Sequence, residues 1–267
     1  MRFLISRCYM AKERSSTEGR IRESARGFYL HLKKALGPEA GGFVEGLSCR
    51  SKVFIFSGVI RDYLLGRNEV RDVDLVLAES VDVEDLVSNE RVKRNSFGGY
   101  KITFDDVTLD LWFLKDTWAY NYEKVFDFYY SIGIPGTPFF NASAIVFDFN
   151  RQEFHFTQKF VRFVRDKELD VVYTPNPNYD LCVINALNYK HKYNVRMTQR
   201  LCQLLVSLHN ERAHAYDAVQ LKHFGSVKFT NSEIESFVSE LECERRRKRR
   251  HRGAGSAKVM EFDFSAS

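Results

Sequence analysis

Alternating apolar and polar residues mark short β-strands in the first half of the chain. In the run D-V-D-L-V-L, Val73, Leu75 and Leu77 take one side of an extended strand, and Asp72 and Asp74 share the other side. A second run, V-T-L-D-L-W-F, has the same alternation and places Asp110 on its polar side. Because the apolar side of each strand can be buried, both strands are expected to leave their carboxylates on an accessible face.

Helical periodicity governs much of the remaining sequence. Residues Ser15 to Leu36 predict an amphipathic helix that ends at Gly37-Pro38. Shorter helices are predicted at Asp82 to Asn89 and at Thr117 to Tyr130, and Gly98-Gly99 indicates a β-hairpin. Beyond Pro177 apolar residues recur at spacings of three and four, which predicts consecutive helices, the last of them over Asn231 to Glu242.

These patterns predict an α+β fold, with a mixed-sheet head followed by a small helical domain. The expected divisions are an N-terminal helical segment at 1–47, the sheet-containing domain at 48–174, the helical domain at 175–243 and a disordered basic tail at 244–267. A chain of 267 residues is long enough to bury a substantial core in this arrangement.

The spacing of the carboxylates points to metal chemistry. Asp72 and Asp74 are separated by roughly 7 Å along a strand, and carboxylates of this kind bind hard divalent cations that bridge to phosphates. Two such cations can stabilise the attacking and leaving oxygens of an in-line displacement. Asp110 is the candidate for a third ligand. The D-x-D pair taken alone is also common on solvated strands.

The turn before these strands has features of a phosphate site. A predicted strand, Lys52 to Phe56, leads into Ser57-Gly58 and then into a short helix that carries Arg61 and Asp62. Glycine lets the backbone approach a phosphate closely, and N–H groups at the start of the helix can donate to it. Arg61 and Asp62 by themselves would also fit a surface ion pair.

Together, the runs S-G-V-I-R-D-Y-L-L-G-R and R-D-V-D-L-V-L resemble the head of tRNA nucleotidyltransferases and bacterial poly(A) polymerases. These enzymes belong to the DNA polymerase beta-like nucleotidyltransferase superfamily. The resemblance implies that residues 48–174 form the catalytic domain and that Asp72, Asp74 and Asp110 are catalytic residues that hold Mg²⁺ or Mn²⁺.

The same resemblance assigns roles in binding the substrate NTP, ATP among the candidates. It implies that Ser57 and Gly58 contact the nucleotide phosphates, and that Arg61 and Asp62 organise the phosphate-binding turn. Arg61 would also help to position the triphosphate.

The chain departs from the family pattern at its arginines. Asn141 and Ala142 match a family Asn-Ala pair, but Pro135, Gly136 and Thr137 stand where an arginine pair and an aspartate should precede it. Amide groups do not replace the bidentate phosphate contacts of arginine. The Glu-Asp-x-x-Arg stretch by which tRNA-repairing enzymes select ATP and CTP is also missing, which argues against a faithful CCA-adding enzyme.

A later helix is similar to the one in which the family directs arginines toward the nucleotide. Cys182, Asn185 and Asn188 occupy those places here. Asn185, Asn188 and Lys192 lie at helical spacing on one side, which makes them candidate nucleotide-binding residues. The same spacing also fits a solvated helix face.

Positive charge is concentrated near the end of the chain. The net charge is +5, and Arg245 to Arg252 alone contain seven Lys or Arg, so the remainder carries about −2. Such a run can neutralise nucleic-acid phosphates without sequence preference. It favours RNA, tRNA included, as the partner, although a localisation signal or a solvated tail has the same composition.

The cysteines and the hydropathy pattern suggest a cytoplasmic protein. Five cysteines lack the paired short spacing of a zinc site or a disulfide framework, which favours a reducing compartment. No apolar run approaches membrane-spanning length, so no membrane partner is expected.

The sequence therefore predicts a metal-dependent nucleotidyltransferase that moves NMP from an NTP to an acceptor hydroxyl, with release of pyrophosphate. An RNA 3′ end is the favoured acceptor. Two alternatives remain open: transfer to a protein or a small molecule, and a nucleic-acid-binding protein whose transferase head is disabled.

Overall fold

The computed structural model describes residues 16–70, 72–88, 91–94, 98–105, 107–123, 133–211 and 213–252, with the side chains of 121–123 and 244–252 left out. The chain forms two compact units, Met1–Pro177 and Asn178–Ser267. The predicted boundary near residue 175 lies close to this division.

A seven-stranded mixed sheet forms the centre of the first unit. Its strands are β1 (Val53–Phe56), β2 (Asp72–Leu77), β3 (Val92–Arg94), β4 (Tyr100–Thr103), β5 (Thr108–Phe113), β6 (Ile145–Asp148) and β7 (Glu153–Phe156). Their order across the sheet is β3-β4-β5-β2-β1-β6-β7. Only the β2–β5 pair within this sheet is parallel; the other neighbours are antiparallel.

The helices of the first unit are α1 (Ala25–Ser48), α2 (Gly58–Leu64), α3 (Trp118–Glu123) and α4 (Gln158–Asp166), with a further helical segment at 16–23. The fold is thus α+β with a mixed sheet, as predicted. The predicted hairpin at Gly98-Gly99 is confirmed, since β3 and β4 pair with Arg94 opposite Tyr100.

Helix α1 packs against one face of the sheet. The ring centroid of Phe28 lies 4.9 Å from that of Phe147 and 5.3 Å from that of Phe154, and Phe28 is fully buried. The predicted N-terminal segment is therefore part of the first unit's core. The chain does leave helical geometry at Gly37, where φ is 67°, but it resumes at Pro38, a favourable first residue for a new helical turn.

Two further helix predictions are corrected or only partly covered. Residues 82–88 form turns and no helix. The Asp82 carboxylate accepts a hydrogen bond from the Glu84 N–H at 3.1 Å, a local contact that competes with helical pairing. The helix predicted from Thr117 is present as α3, and residues 124–130 lie outside the described residues.

The second unit is mainly helical, as predicted. Its helices are α5 (Tyr179–Tyr193), α6 (Gln199–Asn210), α7 (Tyr216–Phe224) and α8 (Asn231–Arg252). Helix α8 continues ten residues past the predicted end at Glu242, so part of the segment expected to be disordered is helical. Residues 253–267 lie outside the described part.

The His214 side chain connects three helix ends in this unit. Its Nδ1 lies 2.9 Å from a carboxylate oxygen of Asp180 on α5, and its Nε2 lies 2.5 Å from the backbone oxygen of His209 on α6. Its ring also stacks on that of Tyr216, the first residue of α7, with the ring centroids 4.5 Å apart. These contacts fix the relative positions of α5, α6 and α7.

Among the described residues, Cys49, Cys182, Cys202 and Cys243 form no disulfide, and Cys8 lies outside them. Within the described ranges, no helix combines the length and apolar character needed to cross a membrane.

Gly99 lies where β4 approaches β5 too closely for a side chain. A Cβ at this position would be 2.5 Å from the Leu111 backbone oxygen and 2.6 Å from Cδ1 of Trp112. We expect Gly99→Ala to lower the free energy of unfolding by about 1–3 kcal/mol, because β4 must shift away from β5. Urea denaturation measures the change.

Gly42→Ala in helix α1 is the matched control, since no atom lies within 4 Å of its added Cβ. It should be neutral or stabilising by about 0.5–1 kcal/mol. Equal stability of the two variants would contradict the close approach at Gly99.

Candidate active site

The parallel pairing of β2 with β5 brings two of the three predicted aspartates side by side. Asp74 is directly opposite Asp110 in this register, and Asp72 is opposite Thr108. Adjacent strands lie about 4.8 Å apart, and opposed residues point to the same face of a sheet. The three carboxylates therefore share one face, with Asp72 exposed and Asp74 and Asp110 half-buried.

Asp74 has a strongly perturbed acidity. Burial raises the pKa of its carboxyl from 3.8 to about 7, and the nearby carboxylates of Asp110 and Asp72 add to the rise. The positive charges of Arg61 and Lys101 oppose it without cancelling it. The site thus concentrates negative charge that the cations around it only partly neutralise.

Lys101 is a member of this site that sequence reasoning missed. It lies opposite Asp110 on the antiparallel neighbour β4, and its Nζ is 3.1 Å from Oδ2 of Asp110. The alternation of β4 and its position after the Gly98-Gly99 hairpin could have suggested a lysine beside β5. The partner residue, however, is set by strand register, which the sequence did not reveal.

The Ser57-Gly58 turn lies next to Asp74 because β1 pairs with β2. Phe56, the last residue of β1, is opposite Asp74, so the chain turns into α2 directly beside this carboxylate. A Cβ placed on Gly58 would be 3.9 Å from Oδ2 of Asp74. Glycine therefore leaves the space in front of that carboxylate open, while Ser57 is itself buried.

Arg61 is buried and directed at a neighbouring loop. Its Nη1 donates to Oγ of Ser143 at 3.3 Å and to the backbone oxygen of Ala142 at 3.5 Å, and its Nε is 3.8 Å from a carboxylate oxygen of Asp62. This geometry holds α2 against the segment before β6. The predicted roles of Arg61 in organising the phosphate-binding turn and in positioning a triphosphate stay predictions.

Asn141 has a structural position. It is 1% exposed, its amide donates to the backbone oxygens of Lys159 and Glu168, and its side-chain oxygen accepts from the Asp170 N–H at 2.8 Å. All of these bonds join the chain before β6 to the two sides of helix α4. The family-like Asn-Ala pair therefore stabilises the head.

The remaining candidates are on helix α5 of the second unit. Asn185 and Asn188 are half-buried, and Lys192 is exposed with its Nζ 5.1 Å from the Tyr193 ring centre. Their contact with a nucleotide stays a prediction. The side chains of the basic run Arg245 to Arg252 lie outside those described.

The three aspartates offer the hard oxygen donors that Mg²⁺ and Mn²⁺ prefer. Their oxygens are not all within 4.8 Å of one another in this conformation. Among the described residues, a different group has one ligand atom per side chain within 4.8 Å of the others: Asp148, Glu153 and His155. Joint binding of one cation by the aspartates would therefore require a rotamer change, which is easiest at the exposed Asp72.

The raised pKa of Asp74 makes stability depend on pH in the absence of metal. Below pH 3.8 the carboxyl is protonated in both the folded and the unfolded state; between pH 3.8 and about 7 only the unfolded state ionises, so stability falls as pH rises. Asp74→Asn should thus raise the free energy of unfolding at pH 8 by about 2–4 kcal/mol. Near pH 4 the difference should vanish.

Denaturation in EDTA at both pH values measures this effect. Added Mg²⁺ should then stabilise the wild type more than the variant. Loss of stability in Asp74→Asn at pH 8 would contradict the electrostatic description of the site.

Comparison with known proteins identifies the fold. No protein-family model and no curated protein matches the chain. Solved structures do match. An apo CCA-adding enzyme is 13% identical, with a TM-score of 0.54, and the match covers 75% of this chain and 49% of that one. A CCA-adding enzyme with ATP is 12% identical, with a TM-score of 0.54, and the match covers 81% of this chain and 51% of that one. The Thermotoga maritima CCA-adding enzyme complexed with tRNA matches at 12%, TM-score 0.53, over 81% and 50%.

The chain spans about half the length of these enzymes. At these identities the likeness concerns the fold, and it agrees with the resemblance seen in the motifs around Gly58 and Asp72. The chain thus shares its fold with the matched part of these CCA-adding enzymes.

Proposed function

We propose that the protein is a metal-dependent nucleotidyltransferase that moves NMP from an NTP to a hydroxyl group at an RNA 3′ end and releases pyrophosphate. The observation that carries this proposal is the register of β2 and β5. It puts Asp74 beside Asp110, with Asp72 on the same face and the Gly58 turn adjoining.

The residues present fit a divalent cation. Burial, with the like charges of Asp110 and Asp72, raises the pKa of Asp74 to about 7, and a bound cation would displace the proton and relieve the repulsion. When bound, Mg²⁺ or Mn²⁺ supplies charge that favours ionisation of the acceptor hydroxyl and stabilises the leaving pyrophosphate. Asp72 and Asp74 would hold it with Asp110.

The chain's own contribution is placement. The half-buried Asp74 and the Lys101-bound Asp110 both lie on strands of the central sheet, so the reacting groups meet a preorganised set of charges. The Ser57-Gly58 turn leaves room for phosphates next to Asp74. The hydrogen bond from Arg61 to Ser143 holds helix α2, and with it the turn that precedes this helix, in place.

An RNA acceptor is supported by two observations. The fold is that of CCA-adding enzymes, one of which was solved with tRNA, and the sequence contains a strongly basic run, Arg245 to Arg252. Asn185 and Asn188 replace family arginines, so we expect a base preference different from that of CCA addition. Lys192, on the same helix side, remains a candidate phosphate contact.

The absence of the family arginines at the places described above favours two alternative functions. With fewer charge-assisted contacts to nucleotide, the head could serve a protein or small-molecule acceptor, or it could bind RNA without catalysis. Incubation with labelled NTPs and either total RNA or total protein separates the first alternative from the main proposal.

Transfer activity should depend on the carboxylate pair. We expect Asp74→Asn and Asp110→Asn each to lower kcat by about 100-fold or more, since each removes charge from the centre of the site. The assay incubates RNA with each NTP and Mg²⁺ and then sequences the RNA 3′ ends. Asp85→Asn is the control, because this exposed aspartate lies in the loop after β2 and forms a surface pair with Arg50.

Three outcomes distinguish the proposals. Label on RNA that disappears in both site variants supports RNA transfer. Label on protein or a small molecule changes the acceptor. Absence of turnover in wild type and variants alike, with equal RNA binding, establishes the disabled head and ends the enzymatic proposal.

A further inference from the structure

A second cluster of potential metal ligands lies at the far edge of the sheet, in the hairpin formed by β6 and β7. Asp148 ends β6 and is directly opposite Glu153, which begins β7. His155 lies two residues further along β7 and so points to the same face as Glu153. The hairpin thus places two carboxylates and an imidazole together.

The donor atoms are close enough to share one ion. One atom from each of the three side chains lies within 4.8 Å of the other two, and Nε2 of His155 is 3.3 Å from Oε1 of Glu153. Two ligand atoms of a tetrahedral zinc site with bonds of 2.0–2.1 Å are separated by roughly 3.4 Å. The observed spacing therefore suits coordination with small side-chain movements.

The three ligands differ in burial: Asp148 is buried, His155 is half-buried and Glu153 is exposed. Asp148 is 3% exposed, and Nε2 of His155 is inaccessible to solvent and has no hydrogen-bond partner despite its proximity to Glu153. A buried nitrogen without a partner costs free energy that a metal bond would offset. The cluster accordingly places an unpartnered imidazole nitrogen beside two carboxylates.

The hairpin turn supports the carboxylate of Asp148. The Arg151 N–H donates to Oδ1 of Asp148 at 2.9 Å, which fixes the side chain as an outer hydrogen bond does in metal sites. The guanidinium of Arg151 is also 3.6 Å from Glu153, but it is largely exposed and can swing away. A bound cation would take over its neutralising role.

This cluster is separate from the aspartates of the candidate active site. The row across the sheet runs from Asp74 through Phe56 and Val146 to His155. Three strand spacings separate its ends, which amounts to roughly 14 Å. One ion cannot serve both groups, and the inference is independent of the proposed transferase activity.

We propose that Asp148, Glu153 and His155 bind a Zn²⁺ ion that ties the edge strand β7 to β6. An imidazole nitrogen with two carboxylates suits zinc, whereas Mg²⁺ and Ca²⁺ take oxygen ligands alone. A water molecule or hydroxide completes the tetrahedron. The ion stabilises β7, an edge strand whose one neighbour among the described strands is β6.

Calorimetric titration of the full chain tests the site. The starting protein is chelator-treated Asp72→Asn plus Asp74→Asn, in which the other metal candidates are weakened. We expect one Zn²⁺ per chain, and about 100-fold weaker binding when His155→Gln is added. His31→Gln is the matched control, because its Nε2 is likewise buried without a partner but belongs to no such group among the described residues.

X-ray absorption of the zinc-loaded protein provides a readout that does not require the His155 variant to fold. One imidazole with oxygen ligands supports the proposal. Sulfur ligands would assign the zinc to cysteines and overturn it. So would an absence of zinc binding in the starting protein, or affinity unchanged by His155→Gln.

Discussion

The parallel pairing of β2 with β5 is the constraint on which the candidate site depends. In a sheet whose other neighbours are antiparallel, this one pair sets two aspartates from distant parts of the sequence directly opposite each other. Any slip by one residue would turn Asp110 to the opposite face and into the apolar layer. The buried residues Val73, Leu75, Leu109 and Leu111 prevent that slip, so the hydrophobic core itself fixes the carboxylate geometry.

Like charges held at this distance carry a cost in free energy. Burial is the largest cause of the rise in the pKa of Asp74 to about 7, the carboxylates of Asp110 and Asp72 add to it, and the charges of Arg61 and Lys101 reduce it. Arg61 reaches the site from behind through α2, whereas Lys101 contacts Asp110 from the adjacent strand. The head is thus organised around an excess of negative charge, which suits a site that takes up divalent cations and phosphates.

The seven-stranded sheet presents two different sets of ligands on one face. The central strands carry only carboxylates, which favour hard cations and nucleotide chemistry. The edge hairpin combines carboxylates with an imidazole, which favours zinc and a stabilising role. Phe56 and Val146 lie between the two sets and keep them apart.

The sequence by itself determined the strands, their inward and outward faces and the motif around Gly58, because these follow from local periodicity and from residue types close together along the chain. It also indicated the mixed-sheet head and the helical second unit. It could not determine that Lys101 bonds Asp110, that Arg61 is directed at Ser143, or that Asp148 meets His155, and it wrongly predicted a helix at 82–88. These three contacts and the conformation of residues 82–88 depend on strand register, hairpin pairing and side-chain hydrogen bonds, which only the packing of the folded chain decides.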